Sequence, residues 1–458
     1  MSISRVLIAN RGEIAVRIIR AADALGIETV LAVSDADRDA LPARMAGRAI
    51  CIGPAPAPAS YLNVGAVVTA ALAAEADAIH PGYGFLAEAP DLAAACAENG
   101  IKLVGPSADH MRQMGHKIEA RTLAAEAGVP TLPGSEKVGS AKEAEDIVSR
   151  IGLPVMLKAA SGGGGRGMKI VTDTAGLADV FAAASAEARA AFGDDTLYLE
   201  RYIANARHIE VQVLGDSRGN VIHLGERDCS LQRRHQKVIE EAPAPAVSEQ
   251  FRADIREAAV TLARNIGYEN AGTVEFIVDQ DEGEFYFLEM NTRIQVEHPV
   301  SEMITGVDLV REQFRIAGGA ALEFAQSDVT FQGHAIECRI NAEIPLEEFR
   351  PDPGLITAWQ PPEGSPGGPD IRLDSHCYAG YHVPMFYDSM LAKLIVTGPD
   401  RASALAGMRD ALDRFVIEGI GTTLPFLRFA IADPDFASGR VNTSLVDRLI
   451  PEMAAANS

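Results

Sequence analysis

Short apolar runs alternate with amphipathic stretches from the start of the chain. Residues 5–10 hold four successive apolar positions, Val6 to Ala9, and read as a buried strand. Ile14, Ile18, Ala21, Ala22 and Leu25 recur at helical spacing, with Gly26 as the expected stop. Residues 29–33, 76–80 and 102–104 read as further strands, separated by Ala-rich helices. Such alternation predicts βαβ units and a parallel sheet over residues 1–115. Pro54, Pro56 and Pro58 predict a loop between units.

Residues 116–205 read as a linker and a smaller insert. Strands are expected at 153–159 and 168–172, flanking a glycine run. A helix to about Ala191, capped by Asp173 or Thr174, and a strand at 196–203 follow. Residues 206–446 open on a hairpin, 208–214 with 221–226, joined by the turn-rich link Gly215-Asp-Ser-Arg-Gly-Asn220. A helix over 250–266 and strands at 272–278 and 284–290 come next. Residues 361–369 are expected to form a Pro/Gly-rich surface loop, and 447–458 a tail. The fold class is α/β (α+β) in three parts.

Length and composition suit about three globular units: 458 residues, 47% hydrophobic and 23% charged. The formal charge of −22 works against nucleic acid and anionic membranes as partners, so an anionic ligand needs a local basic cluster. Glu226-Arg-Asp-Cys-Ser-Leu-Gln-Arg-Arg-His-Gln-Lys237 is one, unless Arg233 and Arg234 belong to an internal ion-pair belt with Glu240 and Glu241. The apolar run closed by Arg11 is too short for a signal peptide, and no run approaches the ~18 residues of a membrane span. Five scattered cysteines without a Cys-x-x-Cys pair suit free thiols in a reducing cytoplasm.

Four further segments carry candidate chemistry. Lys158-Ala-Ala-Ser-Gly-Gly-Gly-Gly-Arg-Gly-Met168 puts Gly163, Gly164 and Gly165 between two strands, where backbone N–H groups can face phosphates and Lys158 can reach them. A mobile linker is the plain alternative. If residues 280–284 form a hairpin turn, paired residue numbers sum to 564. Glu275 then faces Glu289, and Asn291 shares their face. Facing carboxylates repel unless a cation lies between them, which suits Mg2+ or Mn2+; a solvated acidic face is the alternative. Glu289-Met-Asn-Thr-Arg-Ile-Gln-Val-Glu-His-Pro299 sets Arg293, Gln295 and Glu297 on alternate positions. Arg293 suits a small planar oxyanion and Glu297 suits taking its proton, against ordinary ion pairing on a loop. His80-Pro-Gly-Tyr-Gly-Phe-Leu-Ala-Glu88 is a glycine-rich turn at a strand end, where α/β sheets bind ligands; on chemistry alone a structural loop is favoured.

Together these segments resemble the biotin carboxylase family within the ATP-grasp superfamily. Ile8-Ala-Asn-Arg-Gly-Glu-Ile14, Glu240-Glu-Ala-Pro-Ala-Pro245, His334-Ala-Ile-Glu-Cys-Arg-Ile-Asn-Ala-Glu343 and Tyr387-Asp-Ser-Met-Leu-Ala-Lys393 extend the likeness over nearly the whole chain. The resemblance implies an N-terminal βαβ domain (1–115), a lid with the glycine flap (116–205) and a C-terminal mixed-sheet catalytic domain (206–446). It implies that Lys117 and Lys158 hold ATP phosphates, and that Glu200, Arg201, Tyr202 and Ile203 line the adenine. His208, Gln232 and His235 would complete the nucleotide pocket. Glu275, Glu289 and Asn291 would hold two Mg2+ or Mn2+ ions. Lys237, Arg293, Gln295 and the Val296 backbone would bind bicarbonate, with Glu297 as its base. Arg339 would stabilise the biotin enolate, with Tyr83 near the biotin ring. Arg201, where relatives often have Lys, and a shorter glycine run at Ala160-Ser161 are small departures.

The resemblance further implies a homodimer acting with a biotin carboxyl carrier protein and a carboxyltransferase. Carrier domains present biotin on a Met-Lys-Met lysine, and the only Met-Lys here is Met168-Lys169 inside the flap. The carrier is therefore expected on a separate chain, most simply in acetyl-CoA carboxylase. Another acyl-CoA or pyruvate carboxylase, another ATP-grasp ligase, and a non-catalytic nucleotide-binding regulator remain the alternatives. The regulator would have no reason to keep Glu297, Lys237 and Arg339 together.

Overall fold

Val6, Leu7 and Ile8 are fully buried because helices cover both faces of their strand. The computed structural model describes residues 3–135, 137–160, 168–364 and 370–456. Strands β1 (Arg5–Ile8), β2 (Glu28–Ser34), β3 (Arg48–Gly53), β4 (Ala78–His80) and β5 (Lys102–Leu103) form a parallel sheet in the order β3-β2-β1-β4-β5. The helix Gly12–Ala24 follows β1 as expected, and Gly26 takes the left-handed conformation just beyond its end. The order reverses between β1 and β4, so the loops after them part and leave a crevice. A cavity of about 360 Å³ lies there, lined by Asn10, Arg11, Gly12, Tyr83 and Gly84 among others.

One strand was missed and one expectation fails in this region. The strand β3 was not foreseen, because its edge position leaves most of its residues partly or fully exposed and breaks the apolar run. The prolines 54, 56 and 58 therefore do not separate units. They connect β3 to the helix Val64–Ala73 within the same sheet.

The insert is a three-stranded antiparallel sheet. Its strands β6 (Val155–Ala159), β7 (Met168–Val171) and β8 (Leu197–Arg201) run in the order β7-β6-β8, with the helix Leu177–Phe192 packed on them. Gly163, Gly164 and Gly165 lie outside the described residues. Asp173 does not cap that helix. Its carboxylate accepts the Ala175 N–H at 2.6 Å in a turn that precedes the helix, and Gly176 is the N-cap.

The third sheet is antiparallel. It contains β9 (Ala206–Gly215), β10 (Val221–Arg233), β11 (Gln236–Ala242), β12 (Asn270–Asp279), β13 (Glu284–Asn291), β14 (His334–Asn341), β15 (Asp370–Ser375) and β16 (Met390–Gly398). Their order is β13-β12-β9-β10-β11-β14-β16-β15. Ile209, Val211 and Val213 of β9 pack on Ile255, Ala259 and Leu262 of the helix Glu249–Asn265. Strand alternation sends His208, Glu210 and Gln212 to the opposite face. The segment 226–237 completes β10, turns and begins β11, and Arg227 is wholly buried. Among the described residues no helix is long and apolar enough to cross a membrane.

Candidate active site

The hairpin of β12 and β13 places Glu275 directly opposite Glu289, and Thr273 opposite Asn291. Nearer the turn the pairing is offset by one, Asp279 facing Glu284, and a bulge beside Glu275 restores the register at the carboxylates. Lys117, at the start of the helix Lys117–Glu126, approaches Glu289 at 3.5 Å. From the neighbouring strand β9, the His208 ring reaches Glu275 at 3.2 Å.

Lys237 is the hub. It enters from β11 and donates to Glu210 and Glu297 at 2.5 Å each, to Glu275 at 3.0 Å and to Gln295 at 3.4 Å. Burial disfavours its charge, but these carboxylates outweigh burial and hold its pKa well above the usual lysine value. Burial would raise the Glu275 and Glu297 carboxyls, yet Lys237 pulls both below the usual range, helped by His208 at Glu275 and by Arg339 at Glu297. Both are therefore ionised. His208 is pushed up to about 9, because Glu275 and Glu210 more than offset its desolvation.

The segment after β13 curls into the helix His298–Thr305, with Glu297 at its N-cap. Gln295 donates to Glu275 at 2.7 Å. Lys393 of β16 donates to the Val296 carbonyl at 2.8 Å. Arg293 donates to Asn291 at 2.7 Å and to Glu88 at 2.9 Å. Glu88 also accepts the Thr292 N–H at 3.1 Å, so the loop after β4 fixes this segment from the N-terminal sheet. Tyr83 of the same loop donates to Glu13, which pairs with Lys393 at 3.3 Å. Arg339 on β14 donates to Glu297 at 2.9 Å and to Glu240 at 2.5 Å.

A second group lies towards the lid. Lys158 of β6 and Arg121 both contact the Glu200 carboxylate. His235 is held low first by burial and then by the positive charges of Lys158, His208 and Lys117, so four basic side chains converge. Gln232 is buried opposite Lys237 on the β10–β11 pair. Ile203 is buried beside Leu132 and Ala206 in a small apolar cluster, and Tyr202 donates its N–H to the Pro154 carbonyl. The Arg201 side chain is the exception. It turns out to Glu282 at 2.8 Å and Asp279 at 3.1 Å, leaving only its backbone to face a ligand. Arg233 and Arg234 also point away, to Glu348, rather than to Glu240 and Glu241.

Several residues in this network were missed from the sequence. Glu210 is fully buried and pairs with both Arg227 and Lys237. Its signal was the polar alternation His208, Glu210, Gln212 in an otherwise apolar strand. Glu240 joins through the β11–β14 pairing and Glu13 through its ion pair with Lys393, contacts between elements far apart in the chain. The turn that delivers His235 and Lys237 gave no signal either. Arg234 and His235 occupy it with φ of 48° and 65°, where Asn-Gly would be expected. Such strain is tolerated where the surroundings hold it and clusters at functional sites.

Converging cations beside facing carboxylates, next to the three-stranded sheet, suit the phosphates of a nucleotide with its metal. Residues 2–111 match the family described as biotin carboxylase, N-terminal domain, and 337–448 match the biotin carboxylase C-terminal domain. Residues 116–325 match the carbamoyl-phosphate synthase L chain, ATP binding domain. A biotin carboxylase of Nostoc sp. is 50% identical over 450 residues, which cover 98% of this chain and 100% of that one. The biotin carboxylase–β-γ-ATP complex of Campylobacter jejuni superposes with a TM-score of 0.94 at 49% identity, covering 98% and 99% of the two chains. The biotin carboxylase domain dimer of Hydrogenobacter thermophilus 2-oxoglutarate carboxylase, in complex with MgADP, ADP and bicarbonate, does so at 0.94 and 46%, covering 99% of each. The chain belongs to the biotin carboxylase family.

Proposed function

We propose that this chain carboxylates the biotin of a separate biotin carboxyl carrier protein, using ATP and bicarbonate, as the first half-reaction of acetyl-CoA carboxylase. The observation that carries the reading is the position of Glu297. One of its oxygens accepts from Lys237 and the other from Arg339, so a single carboxylate joins the two halves of the site. Lys117, Lys158, His208, His235 and Gln232 bind ATP, with Gly163, Gly164 and Gly165 as further phosphate-binding residues and residues 200–203 along the adenine. Lys237, Arg293, Gln295 and the Val296 backbone hold bicarbonate.

Glu275, Glu289 and Asn291 fit divalent cations. They offer two carboxylates and an amide oxygen on one face, and among the described residues the only ion pair of Glu289 is with Lys117 at 3.5 Å. His208, Glu210 and Glu275 also bring donor atoms together, as do Glu210, Cys229 and Glu297. The Lys237 ammonium already sits among those carboxylates, which makes them poorer candidates. Mg2+ or Mn2+ at Glu275 and Glu289 would spread the charge of the transferring phosphoryl group.

Glu297 takes the bicarbonate proton as a bicarbonate oxygen attacks the γ-phosphorus and the bond to ADP breaks. The carboxyphosphate so formed splits into CO2 and phosphate. Phosphate accepts the ureido N–H proton of biotin, Arg339 stabilises the resulting oxyanion, and the nitrogen adds to CO2. Tyr83 lies beside the ring. Bicarbonate labelled with 18O tests the order of bonds: one labelled oxygen per turnover should appear in inorganic phosphate, and unlabelled phosphate would exclude the carboxyphosphate route.

The full-length match to the Nostoc biotin carboxylase supports the biotin-carboxylation half-reaction. The likeness to the 2-oxoglutarate carboxylase domain supports a second reading, in which the same half-reaction serves another acceptor, and that domain's dimer supports a homodimer here. Reconstitution with carrier and carboxyltransferase subunits, offering acetyl-CoA against 2-oxoglutarate and pyruvate, decides between them.

A further inference from the structure

Arg339 is gripped by two carboxylates that differ in surroundings. Glu297 lies at the end of the segment that follows β13, with Lys237 on its other oxygen. Glu240 lies inside β11, with no solvent exposure, and Arg339 is its charged partner at 2.5 Å. Glu337 stands directly opposite Glu240 across the β11–β14 pair. Both Glu337 oxygens and the second oxygen of Glu240 are buried without a hydrogen-bond partner. Two neighbouring buried carboxyls do not both ionise readily, and burial keeps Glu337 in its neutral form. The backbone of Arg339 is fixed too, since its carbonyl accepts from the Thr423 hydroxyl at 3.2 Å.

We propose that Glu240 is a positioning residue that holds Arg339 in place at the moment Glu297 releases it, so that proton uptake by Glu297 is coupled to activation of biotin. This rests on the biotin carboxylation reading above. The O–H bond of bicarbonate breaks and an O–H bond forms on Glu297, which erases its charge. The ion pair between Glu297 and Arg339 then loses its electrostatic part, while Glu240 keeps its hold on Nε and Nη2 of the guanidinium. The Nη2 hydrogen that Glu297 held is released without the side chain swinging away, and it can be donated to the ureido oxygen as that oxygen gains charge. A guanidinium held by Glu297 alone would be either occupied or unanchored. Held by both, it becomes available only after bicarbonate has been deprotonated, which limits biotin activation in the absence of carboxyphosphate.

The test uses the full chain with ATP, Mg2+, bicarbonate and free biotin. Biotin-dependent turnover and the slower biotin-independent, bicarbonate-dependent ADP release are measured for the wild type, Glu240→Gln and Glu240→Asp. Glu240→Gln should lower the ratio of the first rate to the second by about tenfold or more, and Glu240→Asp should recover part of it by restoring the charge. Equal loss of both rates in Glu240→Gln, or an unchanged ratio, would overturn the inference. If Glu240→Gln does not fold, the Asp variant decides: a lowered ratio supports the anchoring role and a wild-type ratio contradicts it. A wild type with no biotin-dependent turnover would instead remove the functional reading beneath the inference.

Discussion

Glu275 and Glu289 face each other across the β12–β13 pair, and each has a lysine of its own: Lys237 at 3.0 Å and Lys117 at 3.5 Å. Facing carboxylates repel each other, and a divalent cation ligated by both relieves that repulsion. Glu289→Gln should raise the Mg2+ concentration for half-maximal ATP cleavage by at least about tenfold, with activity returning at high Mg2+. Titration of ADP release with Mg2+ reads this directly. Glu275→Gln should be less recoverable, because Glu275 also accepts from Gln295 and Lys237.

Glu297→Gln should leave ATP binding near the wild-type level and lower bicarbonate-dependent turnover by about 10²–10⁴-fold, the range for loss of a general base. Equilibrium nucleotide binding and steady-state ADP release check the two halves separately. Retained turnover would remove Glu297 as the base.

Arg339→Ala should cost biotin carboxylation more than bicarbonate-dependent ATP cleavage. It also strips the cation from Glu240 and Glu297, which are both buried. Breaking one side of a buried ion pair costs about 3–5 kcal/mol, so a lower unfolding midpoint in urea should accompany the loss. Equal loss of both activities would mark Arg339 as structural.

The pH dependence should separate the two activities as well. Burial raises Glu240 to about 7 against the pull of Arg339. Glu337, Glu297, Lys237, Arg339, Cys229 and Cys338 are the charged or titratable groups around it on β10, β11, β14 and the Glu297 turn. A carboxyl with a raised pKa is charged above that value and neutral below it. The anchor on Arg339 is thus present above about pH 7 and lost as the pH falls through it. The ratio of biotin-dependent to biotin-independent turnover should fall over the same interval, and a ratio rising towards acid would contradict the assignment.

The sequence carried the local parts of this site and little of its long-range wiring. Glu275 opposite Glu289 was legible because a strand alternates with period two and a hairpin ties its partners to a turn. The one-residue offset near the turn was not, since the bulge that corrects it depends on the neighbouring sheet. Arg293, Gln295 and Glu297 were legible as a run, but their grip by Glu88 and Lys393 was not, because it comes from elements about 100 or 200 residues away. Arg234 and His235 form a tight turn without the residues that signal one, so β10 and β11 could not be read as a hairpin. Arg227 was legible as part of a basic cluster, but not as wholly buried; Glu210, on the adjoining strand, makes that burial possible.

The most direct test of the central claim is ADP release by the purified chain with ATP, Mg2+ and bicarbonate, with and without free biotin. Biotin should stimulate the rate, and removing bicarbonate should abolish that stimulation. ATP cleavage at the same rate with and without biotin would contradict the account.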